Sequence, residues 1–462
     1  MRNRKDAMKV KVRFAPSPTG LLHVGNIKVA IMNYLFARKH GGTFVLRIDD
    51  TDIERSTVES EKSIFEDLAW LGVMHDELYK QSENIDRYIQ TFEDLKNAGR
   101  VYPCYETREE LALQKKVRGM QGLPPVYDRS AFKLTDAERK SRELAGTKPY
   151  WRFRLNESNS AEWNDLVHGK ISVPLSTISD PVLVKPDGSF VYTLASVVDD
   201  INLGITHVIR GDDHITNTAV QIELFKAISG TAPEFAHLPL FLSIDGQEVS
   251  KRTGSNLSIV NMRKRGIFPH SLWVVLSTLG TSNNADHHDN MESMISKFDF
   301  QKMSASPPKF NIEDINFINK KIISEMSFDE ARDHLQKIGL QDASEYFWET
   351  IRGNINVIYD AISWYEILCG NLPGMAASVD PEFAKQMLES LPDPFDFDEW
   401  ISSLKKSSGK KGRDLFHPIR IVLTGTDNGP ELKRIANILG YTKIKERVYR
   451  FFNGPLTKNY EK

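Results

Sequence analysis

The chain is poor in cysteine. Cys104 and Cys369 are the only two in 462 residues and lie far apart. Two distant thiols cannot build a disulfide scaffold, and they fit a reducing compartment, so a cytoplasmic location is expected. They cannot complete a CxxC zinc knuckle either. The chain also lacks any apolar run of about 18–20 residues, the length a membrane helix requires, so no membrane association is expected. The basic start MRNRKDAMKVKVRF is not followed by an apolar core and does not read as a secretory signal; Asp6 speaks against a transit peptide. An excess of one charge is missing too: 60 Lys and Arg stand against 62 Asp and Glu, a formal net charge of -2. That balance excludes a uniformly basic nucleic-acid coat but not a local basic face. The two best-known phosphate loops, GxGxxG and GK[ST], are absent after the first strand, as are internal repeats and long low-complexity stretches.

At about 100–200 residues per domain, this length predicts two to four domains. Val10, Val12 and Phe14 alternate with Lys11 and Arg13, which predicts a strand. From Asn26 to His40 the residues Ile27, Ala30, Ile31, Tyr34 and Leu35 fall at helical spacing, and Gly41-Gly42 ends the helix. TFVLRIDD (43–50) predicts a second strand. The resulting βαβ unit predicts a doubly wound parallel α/β sheet. Residues 189–214 read again as sheet and helix, with ITHVIRG (205–211) as a buried strand. Between these blocks, 104–188 reads as an α+β insertion. Beyond about residue 320 the chain reads as all helix, broken by Pro392, Pro394, Pro418, Pro430 and Pro455.

Two loops carry chemistry. In APSPTGLLHVGN (15–26) a strand runs through a Gly-containing turn into a helix N-terminus, where backbone N–H groups and the helix dipole favour an anion. Gly20 and Gly25 would let backbone approach a ligand, and His23 could donate to a phosphoryl oxygen. Alone, the stretch reads as a tight turn with a surface histidine. In IDGQEVSKRTGS (244–255), Ser250-Lys251-Arg252 sit between turn residues. Such a loop suits a lid over polyphosphate, where a cation neutralises charge on a departing pyrophosphate. Alone, it reads as a solvated basic loop.

Together these stretches resemble the bacterial-type glutamyl-tRNA synthetases, a family of class I aminoacyl-tRNA synthetases. RFAPSPTGLLHVGN resembles the family's HIGH signature and SKRTG its KMSKS signature. GGTFVLRIDDTDIERS, YPCYETREEL, WNDLVHGKIS, VYTLASVVDD, VIRGDDHITNT, SPPKFNIEDINFINKK and LFHPIRIVLTGTDNGPEL follow in the family's order, from about residue 10 to the C-terminus. The resemblance implies a Rossmann-like catalytic domain in two halves (1–103 and 189–250), an acceptor-end-binding insertion (104–188), a KMSKS loop and helical stem-contact region (251–320) and an all-helical anticodon-binding domain (321–462). It implies activation of L-glutamate by ATP with Mg²⁺, release of pyrophosphate, and transfer to the terminal adenosine of tRNA-Glu. Whether tRNA-Gln is also charged stays open. A monomer is expected.

The resemblance also implies site roles. His23 and Lys251 carry the catalytic load. Pro16, Thr19, Gly20, His23, Gly25, Asn26, Asp213, His214, Lys251 and Arg252 form the ATP side. Arg13, Ser17, Asp49, Tyr192 and Arg210 form the glutamate pocket, with the two arginines on the side-chain carboxylate and Asp49 on the α-amino group. Planar guanidinium groups suit a bidentate carboxylate contact. Three positions depart from the family pattern. Asn26 stands where many class I enzymes have a second histidine, a departure shared by glutamyl enzymes. Asp49 stands where most relatives have Glu. Glu248 stands in place of the first lysine of KMSKS, where it could not stabilise pyrophosphate. Many bacterial relatives hold zinc in the insertion; only Cys104 remains of that ligand set, so no zinc is expected.

Lys405, Lys406, Lys410, Lys411 and Arg413 cluster in LKKSSGKKGRDLFHPIR (404–420) and are expected to touch tRNA phosphates, or else to be a solvated linker. A glutaminyl-tRNA synthetase would be expected to end in β-barrels. A glutamyl-queuosine synthetase would lack the helical region. A non-catalytic tRNA-binding paralogue is suggested by Glu248 alone, and an adenylyltransferase of the HxGH kind would leave residues 300–462 unexplained.

Overall fold

The computed structural model describes residues 9–246, 257–370 and 379–453. They divide between two units, one drawn from residues 1–263 and 272–312, the other from 264–271 and 313–462.

The first unit opens with β1 (Lys11–Phe14), α1 (Val24–Lys39) and β2 (Thr43–Ile48), the βαβ unit expected from the alternation and the helical spacing. β1 runs parallel to β2 with Val12 opposite Phe44. After α2 (Val58–Leu71), β3 (Glu77–Lys80) adds to β2, again parallel. Helix α1 is buried nearly all round, with Ile27, Ala30 and Ile31 fully covered. A helix without a polar face belongs inside a layered α/β domain rather than on its surface.

α3 (Ile85–Asn97) leads to β4 (Val101–Cys104). Then follow α4 (Arg108–Met120), α5 (Asp136–Leu144), β5 (Tyr150–Phe153), β6 (Ser160–Asp165), β7 (Gly169–Pro174) and β8 (Val182–Val184). β4, β5 and β8 make an antiparallel sheet, as the alternation in YWRFRLN predicts. The β6–β7 hairpin does not join it. After α6 (Tyr192–Leu203), β9 (His207–Gly211) and α7 (Ile215–Ile228), strand β10 (Glu234–Leu238) pairs parallel with β9 and, through Phe235 opposite Asp165, with β6. The sheet order is β7-β6-β10-β9. Hydrogen bonding thus groups residues 160–174 with β9 and β10. The two halves meet where Thr206, just before β9, donates its N–H to Lys11 O at 2.9 Å and its hydroxyl oxygen accepts from Lys11 N at 2.8 Å. α8 (Ile259–Lys264) and α9 (Pro269–Thr278) run into and out of the 264–271 segment assigned to the second unit, and α10 (Met291–Lys297) belongs to the first.

The described residues of the second unit are helical: α11 (Ile312–Glu325), α12 (Phe328–Lys337), α13 (Glu345–Ile351), α14 (Asp360–Leu368), α15 (Pro381–Glu389), α16 (Phe397–Ser408), α17 (Gly412–Thr424) and α18 (Leu432–Asn453). Trp348 and Trp400 are fully buried in its core. Their indole N–H groups donate to Met326 O at 2.9 Å and Met387 O at 3.1 Å, so neither buried donor is left unpaired. Arg447 is buried and donates to Leu423 O and Ile367 O, carbonyls at the C-terminal ends of α17 and α14 that have no partner within their own helices. Burial pushes its guanidinium down to about 10.

One proline expectation is corrected. Pro418 lies inside α17 rather than ending a helix. An interior proline costs about 3 kcal/mol through its missing N–H and ring clash. The complete burial of Leu415, Ile419, Val422 and Leu423 on that helix offsets it. Pro392, Pro394 and Pro430 do fall between helices, while Pro455 lies outside the described residues. No described helix is long and apolar enough to cross a membrane.

Candidate active site

The loop after β1 delivers His23 as the N-cap of α1. The Gly25 N–H donates to His23 Nδ1 at 3.1 Å, and the His23 N–H donates to Asn26 Oδ1 at 3.1 Å. Two N-terminal helix donors are thereby satisfied reciprocally, in the manner of a capping box. Nδ1 is an acceptor in this arrangement, which assigns the ring proton to Nε2 and makes that atom the donor. Asn26 therefore does structural work that a second histidine would do less well: its amide oxygen closes the box.

Gly25 has a steric reason to be glycine. A Cβ there would sit 2.9 Å from His23 Cε1 and 3.1 Å from Nδ1. Gly25→Ala is expected to swing the imidazole out of its cap. Loss of the cap should lower stability by about 1 kcal/mol. Glutamate-dependent ATP–pyrophosphate exchange should fall by about tenfold or more, since a misplaced donor no longer meets the developing charge. Unchanged exchange kinetics in Gly25→Ala would show that the ring's placement does not matter. At Gly20 a Cβ would meet nothing within 4 Å, so no steric contact among the described residues requires glycine there.

A cavity of about 450 Å³ opens beyond the ends of β1 and β9, where open α/β sheets bind their ligands. Its walls bring together ten of the expected residues: Arg13, Pro16, Ser17, His23, Gly25, Asn26, Tyr192, Arg210, Asp213 and His214. Thr19, Gly20 and Asp49 do not line it. Lys251, Arg252 and Glu248 lie outside the described residues. The chain following them returns beside the cap: Ile259 N donates to Leu22 O at 3.0 Å, and Ser258 forms a β-bridge with His23.

Arg210, on β9, is 5% exposed. It donates from Nη1 to Tyr192 Oη at 3.2 Å and from Nη2 to Thr218 Oγ1 at 2.5 Å and Gln221 Oε1 at 2.6 Å. Its Nε is buried without a partner. Among the described residues no carboxylate pairs with it. Burial lowers its affinity for its proton, which is how an uncompensated interior cation responds. Beside it, burial and then the Arg210 charge push His214 down to about 4, so a neutral imidazole faces the cavity.

The opposite charge balance holds a few residues away. Arg13 donates from Nε to Asp200 Oδ1 at 3.1 Å. Arg47 donates to the same oxygen at 2.7 Å and forks onto Asp49 at 2.7 and 3.1 Å. Asp199 accepts from Tyr79, Tyr88 and Gln81 at 2.6–2.9 Å. All five charged groups are buried. Three carboxylates against two guanidinium groups leave one negative charge in excess. Burial lifts the Asp49 carboxyl to about 6 in spite of the Arg47 fork. Removing one member of such a cluster would leave an uncompensated buried charge, an effect of about 3–5 kcal/mol. The cavity is thus bordered by an unpaired cation at Arg210 and by an acid-rich cluster that Arg13 connects to its wall.

Two contributors carried only faint sequence signals. Lys28 lines the cavity from α1 and is 2% exposed. Its Nζ donates to Leu279 O at 2.9 Å, lies 5.0 Å from the Phe241 ring centre, and is pushed down to about 8 by burial. Arg47 is the other: an arginine inside an apolar strand needs a buried counter-charge, and the Asp199-Asp200 pair in an apolar helix supplies it.

The residues around Cys104 do not fit a structural zinc. Its thiol is buried among Tyr102, Tyr127, Ala131 and Tyr150, 3.7 Å from Tyr127 Oη, and burial pushes it up to about 12. A zinc ligand must instead be a thiolate. Asp286, His287 and His288 are the one triple of clustered metal-ligand types among the described residues, and they lie near the surface elsewhere in the chain.

In the second unit the expected basic cluster spans the end of α16, Gly409 and the start of α17. Lys405, Lys406, Lys411 and Arg413 are exposed, and Lys410 is half-buried. Lys405 Nζ lies 5.7 Å from the Phe416 ring centre and Lys410 Nζ 5.2 Å from that of Phe383. Lys410, Lys411, Arg413 and His417 line a shared cleft.

The family described as tRNA synthetases class I (E and Q), catalytic domain, matches residues 9–317, and an anticodon binding domain matches residues 382–452. Glutamate–tRNA ligase 1 of Maricaulis maris is 45% identical over 95% of this chain and 98% of its own length. Glutamate–tRNA ligase 2 of Hyphomonas neptunium is 43% identical over 95% and 99%. A crystal structure of the glutamate tRNA ligase of Elizabethkingia meningosepticum in complex with its amino acid superposes with a TM-score of 0.82 at 28% identity, covering 96% of this chain and 99% of that one. A parallel sheet carrying an arginine-lined cavity, a histidine-capped helix at its mouth and an all-helical second unit, together with these likenesses over nearly the whole length, place the chain in the glutamate–tRNA ligase family of class I aminoacyl-tRNA synthetases.

Proposed function

We propose that this chain activates L-glutamate with magnesium-bound ATP and transfers the glutamyl group to the terminal adenosine of tRNA-Glu. The observation that carries the reading is Arg210, a buried guanidinium on the cavity wall with no carboxylate partner among the described residues. A substrate side-chain carboxylate supplies the missing charge, and a neutral amide does not. Arg13 and Tyr192 flank the same carboxylate, and Ser17 offers a hydroxyl. The acid-rich cluster of Asp49, Asp199 and Asp200 provides the negative field that the α-ammonium group requires, with Asp49 at the position of the resembling family's amino-group ligand.

In the first step a glutamate α-carboxylate oxygen attacks the α-phosphorus of ATP. The bond to the β-phosphate bridge breaks and pyrophosphate leaves. His23 Nε2–H donates to the phosphoryl oxygens at the positive end of α1. Pro16, Thr19, Gly20, Gly25 and Asn26 shape this nucleotide loop, Asp213 and His214 border it, and Lys251 with Arg252 supply positive charge to the departing pyrophosphate. In the second step a hydroxyl of the terminal adenosine attacks the acyl carbon and AMP leaves. No covalent enzyme intermediate is formed, so catalysis is positioning and charge stabilisation. Lys405, Lys406, Lys410, Lys411 and Arg413 meet the tRNA backbone, which makes tRNA affinity fall with salt. The chain works without structural zinc, as a cytoplasmic monomer.

Purified protein is expected to charge tRNA-Glu with labelled glutamate and to catalyse glutamate-dependent ATP–pyrophosphate exchange when tRNA is present. Exchange that glutamate does not stimulate would overturn the reading. Parallel charging of tRNA-Gln decides whether the enzyme discriminates between the two tRNAs.

A further inference from the structure

Arg210 is held from behind by a chain of buried groups that ends in a carboxylate. His237, on β10, is fully buried, and its Nδ1 lies 2.6 Å from Asp165 Oδ2 at the end of β6. Asp165 Oδ1 accepts from the backbone N–H groups of Val167, His168 and His237 at 3.0–3.2 Å, which pins the carboxylate. His237 Nε2 lies 2.8 Å from Thr218 Oγ1 on α7, and Thr218 Oγ1 accepts from Arg210 Nη2 at 2.5 Å.

The protons in this chain have one consistent order. Burial, outweighing the Asp165 hydrogen bond, keeps His237 below the usual histidine range, so the ring carries one proton. That proton lies on Nδ1, facing Asp165. Nε2 is then an acceptor, and at 2.8 Å it lies closer to the Thr218 hydroxyl than His214 O, the other acceptor in reach at 3.1 Å, so it takes the single hydroxyl proton. With its proton committed, Thr218 Oγ1 presents a lone pair to Arg210. A carboxylate therefore polarises a guanidinium through three oriented hydrogen bonds without touching it. Among the described residues the Nε–H and one Nη1–H of Arg210 have no hydrogen-bond partner and stay available to a ligand, where a direct ion pair would consume them. A second tether supports the same atom: Gln221 Oε1 accepts from Nη2 while its Nε2 donates to Ser196 Oγ at 2.7 Å.

We propose that Asp165, His237 and Thr218 form a positioning relay that fixes the plane of Arg210 and thereby sets the preference for glutamate over glutamine. The inference rests on the reading that Arg210 holds the side-chain carboxylate. Thr218, His237 and Asp165 touch no substrate in it; they act through Arg210.

The test uses the full chain with tRNA present and measures KM for glutamate, KM for ATP and the glutamate-to-glutamine ratio of kcat/KM. Thr218→Val keeps the shape and removes the hydroxyl. It is expected to raise KM for glutamate by about tenfold, the lower range for a hydrogen bond to a charged group since Gln221 remains, and to erode the glutamate preference by a similar factor. KM for ATP should stay within about twofold. Thr218→Ser, which restores the hydroxyl, should recover both values. His237→Asn, which keeps an N–H toward Asp165 but cannot reach Thr218, should behave like Thr218→Val and serves if that variant does not fold. A folded Thr218→Val or His237→Asn with unchanged glutamate KM and unchanged selectivity overturns the relay, as does an equal rise in both KM values. Arg210→Gln measured alongside separates the two ideas. If it is severely impaired for glutamate while Thr218→Val is normal, the relay alone fails. If Arg210→Gln is also normal, the underlying reading of Arg210 fails.

Discussion

Arg210→Gln is expected to lower kcat/KM for glutamate by about a hundred- to several-thousandfold while leaving the protein folded. The magnitude follows from removing one partner of a desolvated charge pair, about 3–5 kcal/mol, at about 1.4 kcal/mol per decade. The direction of the stability change is less usual. In the free protein Arg210 is a buried cation with no carboxylate partner among the described residues, so replacing it with a neutral group removes a desolvation penalty along with three hydrogen bonds. The thermal midpoint should therefore move by no more than about 3 °C. Glutamate at about a hundred times its dissociation constant should stabilise the parent by about 2.7 kcal/mol and the variant hardly at all. KM for ATP should be little changed, and discrimination against glutamine should be lost, because the group that penalised a neutral amide is gone. A collapse of the midpoint by 10 °C or more would assign Arg210 a structural role, and an unchanged response to glutamate would remove it from the substrate site.

The sequence made the first half of this site readable because its signals are local. Alternation through Val12 and Phe14, helical spacing from Ile27 to Leu35 and the Gly41-Gly42 stop specify β1, α1 and β2 within one βαβ unit. The PSPTG motif then falls between strand and helix, HVGN forms the cap and first turn of the helix, and the cavity does form there. What could not be read depends on partners distant in sequence. Asp165 is the single acid in WNDLVHGKIS, and nothing local in that stretch marks it. Its importance appears only when Phe235 pairs opposite it and brings His237 within hydrogen-bond reach, 72 residues away. By its resemblance Asp49 reads as a ligand for an amine, yet the fold gives it a guanidinium, Arg47, before any substrate arrives. Asn26 reads as a lost histidine, whereas its value is a hydrogen bond made three residues back along the chain. Pro418 reads as a stop signal, and burial of its helix neighbours overrides it. Propensity and motif report what a segment can do alone. Buried charge is settled by whatever packs against it.

His23 allows its structural and chemical roles to be separated by one substitution. Nδ1 caps α1 by accepting from Gly25 N–H, and Nε2 carries the proton. Asparagine is among the best N-cap residues, and its Oδ1 can take the place of Nδ1. It has no atom that reaches where Nε2 stands. His23→Asn is therefore expected to keep the thermal midpoint within about 2–4 °C of the parent. Glutamate-dependent ATP–pyrophosphate exchange should nevertheless drop by about a hundred- to a thousandfold, the effect of losing one preorganised donor to developing charge. Glutamate-induced stabilisation should survive, since Arg210 and Arg13 are untouched. His23→Ala removes the cap as well and should add about 1 kcal/mol of destabilisation to the same catalytic loss. The contrast between the two variants isolates the Nε2–H contribution. If His23→Asn exchanges pyrophosphate within about threefold of the parent, the imidazole is a cap and nothing more, and charge stabilisation at the α-phosphate has to come from the backbone N–H groups of α1 and the lysine-bearing loop.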